Sequence, residues 1–75
     1  MPKTSAEQEM VANLTERQRN VAILLGQGHT YSEVADLLSI SRHTVHEHLR
    51  HIYERTGCAR RGELALLLVR MGLLK

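Results

Sequence analysis

"SISRHTVHEHLRHIYERTG", Ser39 to Gly57, holds four of the chain's five histidines, and how it is read decides the fold. Two readings compete: a metal-binding helix, and a surface that reads something else. Ser41 stands where a helix cap is wanted, with Ile40 before it and Val45 at the fourth helical position placed for a hydrophobic staple. Gly57 is a natural stop after Thr56. At about 100° per residue, Val45, Leu49, Ile52 and Thr56 gather on one side, which must be the core side. His43, Glu47, Arg50 and Glu54 fall opposite, His46 and His51 flank them, and Thr44 and His48 share an edge. The outward side is therefore a continuous polar band of Arg, His and Glu.

His43, Glu47 and His51 imitate a ligand stripe at i, i+4 and i+8. Eight residues of helix span about 12 Å, too far for both histidines to meet one ion bonded at about 2 Å. Any neighbouring pair supplies two ligands, short of the four that a structural zinc takes. No metal and no other cofactor is expected. No nucleophile stands with a base and an orienting acid, so the chain is not expected to be an enzyme.

Upstream, Thr15 and Gln18 form a capping-box pair, and Val21, Leu24 and Leu25 continue a helical stripe to Gly26. "GQGH" permits a sharp exit, and a second helix opens at Thr30 with Glu33 three residues on. Its expected buried face is Val34, Leu37 and Leu38, with Ala35 allowing close approach. The chain then turns over "LSIS" into the helix capped by Ser41. Downstream, a fourth helix is expected over Arg61 to Met71, although Arg60 is a poor capping residue. The reading is all-α: a polar lead-in over residues 1–13, then one four-helix domain over 14–75.

A chain of 75 residues makes a single small domain. Hydrophobic residues at 43% suffice for a fold, and the absence of Phe and Trp points to an aliphatic core. That scarcity also argues against single-strand binding, which uses aromatic platforms. Cys58 has no internal partner and suits a reducing cytoplasm. "MPKTSAEQEM" lacks the apolar region of a signal peptide, and "LALLLV" is too short to span a bilayer. The expected location is cytoplasmic, on the nucleoid when bound. Between residues 41 and 61, Arg42, Arg50, Arg55, Arg60 and Arg61 face only Glu47 and Glu54, so the positive excess sits in and beside the quoted stretch. That is a modest footprint for a polyanion.

A polar-faced helix joined by a short turn to another short helix is a helix-turn-helix, whose second helix enters the major groove of DNA. Arginine can hold guanine O6 and N7 with two parallel bonds, and a carboxylate can accept from cytosine N4. The N-termini of the second and third helices offer N–H groups to phosphate beside the Thr30, Ser32, Ser41 and Thr44 hydroxyls. The bland alternative is a solvated charged face on a small bundle.

"LTERQRNVAILLGQGHTYSEVADLLSISRHTVHEHLRHIYERTG", residues 14–57, resembles the LuxR-type (GerE-like) helix-turn-helix domain. The landmarks are Leu14-Thr15-x-Arg17, Gly28, Glu33-Val34-Ala35, Leu38-x-Ile40-Ser41, Thr44-Val45, His48-Leu49, Ile52-Tyr53 and Thr56-Gly57. Arg61, Glu63-Leu64 and Met71-Gly72-Leu73-Leu74 extend them to residue 74. The resemblance implies a third, recognition helix with base contacts from His46, Glu47 and Arg50, to which His43 is added from its face. It implies backbone contacts from Thr30, Tyr31, Ser32, Thr44, His48 and Arg61, with Arg42 beside them. The family usually has lysine where His46 stands, no acid at 47, glutamate at 18 and Ser or Asn at 60. His46 and Glu47 are thus the unusual letters of the reading surface.

Around the fourth helix, Leu64, Leu67, Leu68 and Met71 share one face, and Leu66, Val69 and Leu73 lie roughly opposite. One helix at the edge of a bundle buries one face, so the surplus points to a partner. The resemblance makes that partner a second copy, with Ala65, Leu66, Val69 and Leu73 as candidate interface residues. A symmetric homodimer would read half-sites about 34 Å apart on a pseudo-palindrome. Histidines gain charge as pH falls through about 6.5, so affinity for double-stranded DNA is expected to rise on acidification.

The expected function is a sequence-specific transcription regulator without its own sensor domain. RNA polymerase or another LuxR-type regulator is a further candidate partner. Two alternatives stay open: an anti-activator that captures a LuxR-type regulator through helix four, and a promoter-binding module like region four of a sigma factor.

Overall fold

The computed structural model describes residues 13–74. All of the expected lead-in except Asn13 lies outside the described residues, as does Lys75. Among the described residues the regular elements are four helices: α1 Glu16–Gly26, α2 Tyr31–Leu38, α3 Arg42–Thr56 and α4 Arg61–Arg70.

Local chemistry sets each boundary. Thr15 Oγ1 accepts from Gln18 N at 3.1 Å, while Thr15 N donates to Gln18 Oε1 at 3.0 Å. Gln18 is buried, so a neutral amide does here what a carboxylate could do only after losing its water. At α2, Thr30 Oγ1 accepts from Glu33 N at 3.1 Å and Thr30 N donates to Glu33 Oε1 at 2.7 Å. Ser41 Oγ accepts from Thr44 N at 3.0 Å to open α3, and Gly57, at φ 74°, closes it. Arg60 makes no side-chain cap at α4. Glu63 Oε1 instead accepts from Ala59 N at 2.9 Å, which ties down the entry to that helix.

The turn between α2 and α3 passes through Ser39 in the left-handed region, φ 57° and ψ 43°. A residue with a Cβ pays about 1–2 kcal/mol there, and the bond from Ile40 N to Ala35 O at 3.0 Å helps to hold it. The result is a short, sharp link that sets α3 across α2.

The core is aliphatic. Val21, Leu25, Val34, Val45, Ile52, Leu64 and Leu68 are fully buried, each contributing about 1.5–3 kcal/mol by leaving water. α1 packs against both α3 and α4, while α2 lies mainly against α3. The stripe expected on α3 is the one that is buried: Val45, Leu49, Ile52 and Thr56. Thr56 satisfies its hydroxyl by donating to Ile52 O at 2.8 Å.

Two expectations about apolar residues need correction. Leu37 was expected in the buried face of α2 and is 59% exposed. An eight-residue helix docked mainly on one neighbour is covered on the side of Val34, Ala35 and Leu38 only, and Leu37 projects beyond it. Leu73 was expected opposite the buried face of α4, as though the helix continued. The helix ends at Arg70, Gly72 takes φ 78°, and the N–H groups of Leu73 and Leu74 both return to Leu68 O. That hook lays Leu73 and Leu74 against the core.

Candidate nucleic-acid interface

With Val45, Leu49 and Ile52 committed to the core, α3 presents His43, His46 and Arg50 outward, with Glu47 half-buried among them. Three of the four candidate base-contacting residues form one cluster. Glu47 Oε2 lies 2.9 Å from Arg50 Nη2, and its Oε1 lies 3.9 Å from His43 Nε2. The side chains of Arg50 and Glu47 are 63% and 43% exposed, so water screens their pair. Arg50 is thus held in place loosely and can exchange a carboxylate for a base edge at little cost.

His46 is anchored differently. Its ring meets Tyr31 edge-on, with centroids 4.4 Å apart and planes at 88°. Tyr31 is the first residue of α2, so the second helix orients a side chain of the third. Sequence reasoning placed Tyr31 at the DNA backbone and missed this contact, because nothing in local spacing joins positions 31 and 46.

The two helix N-termini are unequal as anion sites. At α3, Arg42 is exposed, the first turn carries no acid, and Ser41 Oγ and Thr44 Oγ1 lie 2.9 Å apart. One of those hydroxyl protons joins them and the other is available to phosphate. At α2, the capping Glu33 brings a carboxylate to the same end as the free N–H groups of Tyr31 and Ser32. The Thr30 backbone N–H holds the Glu33 carboxyl below the usual carboxylate range; desolvation opposes it, and the Thr30 hydroxyl and His29 add smaller lowering contributions. α3 is therefore the more electropositive of the two ends. His48 is half-buried at the edge of the band, and His51 Nδ1 lies 3.5 Å from Glu54 Oε1.

Arg61, expected at the DNA backbone, turns inward. Its Nε and Nη2 donate to Leu25 O at 3.1 and 2.8 Å, and Nη2 also donates to His29 O. Arg17, Arg19 and Arg55 likewise reach the carbonyls of Leu38, Leu14 and Asn13. Part of the positive charge counted along the chain thus serves the fold. Burial pushes the Tyr53 phenol up, with Tyr31 adding to the shift and the Arg61 guanidinium opposing it.

On α4, Leu66 and Val69 are 61% and 45% exposed and Ala65 is half-buried. Ala65, Val69 and Leu73 line one shallow groove with Gly26, Gln27 and Leu74. The terminal hook thus brings Leu73 to the candidate interface residues by a route that a helical wheel does not show.

Among the described residues, no three His, Cys, Asp or Glu side chains gather as a metal site. Cys58 is a free thiol, half-buried against the core. No helix among those residues is long and apolar enough to cross a membrane.

Residues 12–68 match the family described as bacterial regulatory proteins, luxR family. Among curated proteins, the spore germination protein GerE of Bacillus subtilis (strain 168) is 39% identical over 59 residues. That match covers 79% of this chain and 80% of that protein. No solved structure matches the chain significantly.

Proposed function

Since the chain belongs to the luxR family of bacterial regulatory proteins, which are DNA-binding transcription regulators rather than enzymes, we propose that it reads a pseudo-palindromic duplex as a homodimer with α3 in the major groove. The observation that carries this reading is the exposed cluster of His43, Glu47 and Arg50, with His46 beside it, on the face of α3 opposite its buried stripe. Arg50 is the guanine reader, through a bidentate contact to O6 and N7. Glu47 both orients Arg50 and can accept from cytosine N4. His46, steadied by Tyr31, takes a neighbouring base. Arg42, Thr44 and His48 hold one stretch of phosphates, and Thr30, Tyr31 and Ser32 hold another.

The dimer reading rests on the apolar face of α4. Leu66 and Val69 stay exposed after α4 has buried Leu64, Leu67 and Leu68 in its own core. A two-fold axis through that face would bring two α3 helices onto one side of the duplex, the arrangement that two half-sites require. The proposed location is the nucleoid.

Selection from random duplex DNA followed by a salt titration tests the proposal. A two-fold symmetric motif and a steep fall of affinity with salt are expected. Featureless, salt-insensitive binding would refute it. The same result would leave the second reading, capture of another LuxR-type regulator through α4, which the acid on the α3 face and the exposed Leu66 and Val69 favour.

A further inference from the structure

We propose that Arg61 is a positioning residue: it shapes the DNA-reading surface through the α1–α2 turn and Tyr31 rather than by holding a phosphate. The inference rests on the duplex reading above and assigns one of its residues a different task.

The geometry begins at the end of α1. The last carbonyls of a helix carry partial negative charge and lack helical partners. α1 has no basic residue in its last turn. Arg61, at the start of α4, supplies that cation from 36 residues away, with Nε and Nη2 both directed at Leu25 O. The same Nη2 reaches His29 O, beyond the turn. One planar guanidinium thus closes the loop of residues 26–29 across its two ends. Gly28 N to Leu25 O at 3.0 Å and His29 N to Leu24 O at 3.2 Å complete the turn.

The two residues after His29 make the clamp functional. Thr30 is the cap of α2, and Tyr31, its first residue, sets its ring against His46 on α3. The free N–H groups of Tyr31 and Ser32 sit at the same helix end. Holding His29 O therefore holds two things together: the phosphate donors of α2 and the ring that orients His46. A phosphate bond from Nε or Nη2 would have to displace the bonds to Leu25 and His29, which leaves Nη1 alone to face a phosphate without opening the clamp. A lysine at 61 would keep the charge but lose the fork that spans both carbonyls.

The test compares wild type, Arg61→Lys and Arg61→Ala, in the free protein and on the duplex selected by wild type. In free protein at a temperature where every variant is folded, both substitutions are expected to speed amide exchange at Gly28 to Ser32 by about tenfold. The Tyr31 and His46 ring signals should shift in NMR spectra, while exchange at Ile52 and Leu64 holds. On DNA, both variants should lose affinity by about tenfold with the wild-type salt slope. A slope shallower by about 0.9 per subunit in Arg61→Ala, restored in Arg61→Lys, would make Arg61 a phosphate ligand and overturn the proposal. Lowered melting temperature with unchanged exchange and ring signals would also overturn it, since that is a purely structural role. Should neither variant fold, the Arg61 Nε–H signal of wild type decides: it should keep its shift when DNA binds, and a large change overturns the clamp. If wild type selects no duplex, the DNA reading fails on its own, and the exchange and ring signals still judge the clamp.

Discussion

Replacing Arg50 with alanine removes the arginine among the four candidate base-contacting residues of α3, the side chain of that set that can hold guanine with two parallel bonds. To reach a base, the guanidinium must leave Glu47 Oε2, 2.9 Å away. With side chains 63% and 43% exposed, that pair is worth no more than about 0.5 kcal/mol. A good bidentate base contact is worth about 1–3 kcal/mol, so the gain exceeds the release several-fold. Arg50→Ala should therefore raise Kd about 5- to 150-fold for each half-site. The loss should fall toward the upper end, because Glu47 is left as an uncompensated carboxylate in the groove of a polyanion. Adding Glu47→Gln should recover part of the affinity without restoring sequence preference. Fluorescence anisotropy at fixed salt would be run on the selected duplex and on one with the corresponding G·C pair replaced. Wild type should discriminate between the two duplexes and Arg50→Ala should not. A Kd within about twofold of wild type, with an unchanged selected motif, would remove Arg50 from the reading surface.

Leu66→Glu places a charge in the exposed apolar face of α4, so light scattering should show the mass of one chain while the melting temperature stays near that of wild type. Glu33→Gln tests the α2 cap through acid stability. Because the folded Glu33 pKa lies below the ordinary value of 4.5, its contribution is present above that pH and is lost as pH falls through the lowered value. Urea midpoints of wild type and Glu33→Gln should therefore differ at neutral pH and converge well below pH 4.5. Ile52→Ala opens a cavity in the aliphatic core, where Ile52 is fully buried, and should lower unfolding free energy by about 2–5 kcal/mol in a urea titration. In so small a domain, that approaches the whole margin.

Much of the fold was legible because its signals are local. Thr15 with Gln18, Thr30 with Glu33, Ser41 and Gly57 mark helix ends through bonds that span three or four residues. The α3 stripe of Val45, Leu49 and Ile52 follows from helical period alone. That Glu47 and Arg50 share the outward face was also readable from the period, and the structure adds that they pair. Leu37 was not, because period tells which residues share a side, not how much of that side a neighbour covers. Nor was Leu73, because a wheel assumes a helix that Gly72 has already ended.

By itself, the sequence determined four helices, three of them opened by a capping side chain, an aliphatic core and an outward face of Arg, His and Glu on α3. Periodicity and capping are properties of a few adjacent residues, and they survive being read one segment at a time. Only the tertiary structure decided which charges away from that face turn back to the fold. Arg61 faces Leu25 and His29, 36 and 32 residues away, and Tyr31 meets His46 across two helices. Those partners are joined by the packing of α1, α2, α3 and α4, and the same packing makes one arginine a candidate base reader and another a brace.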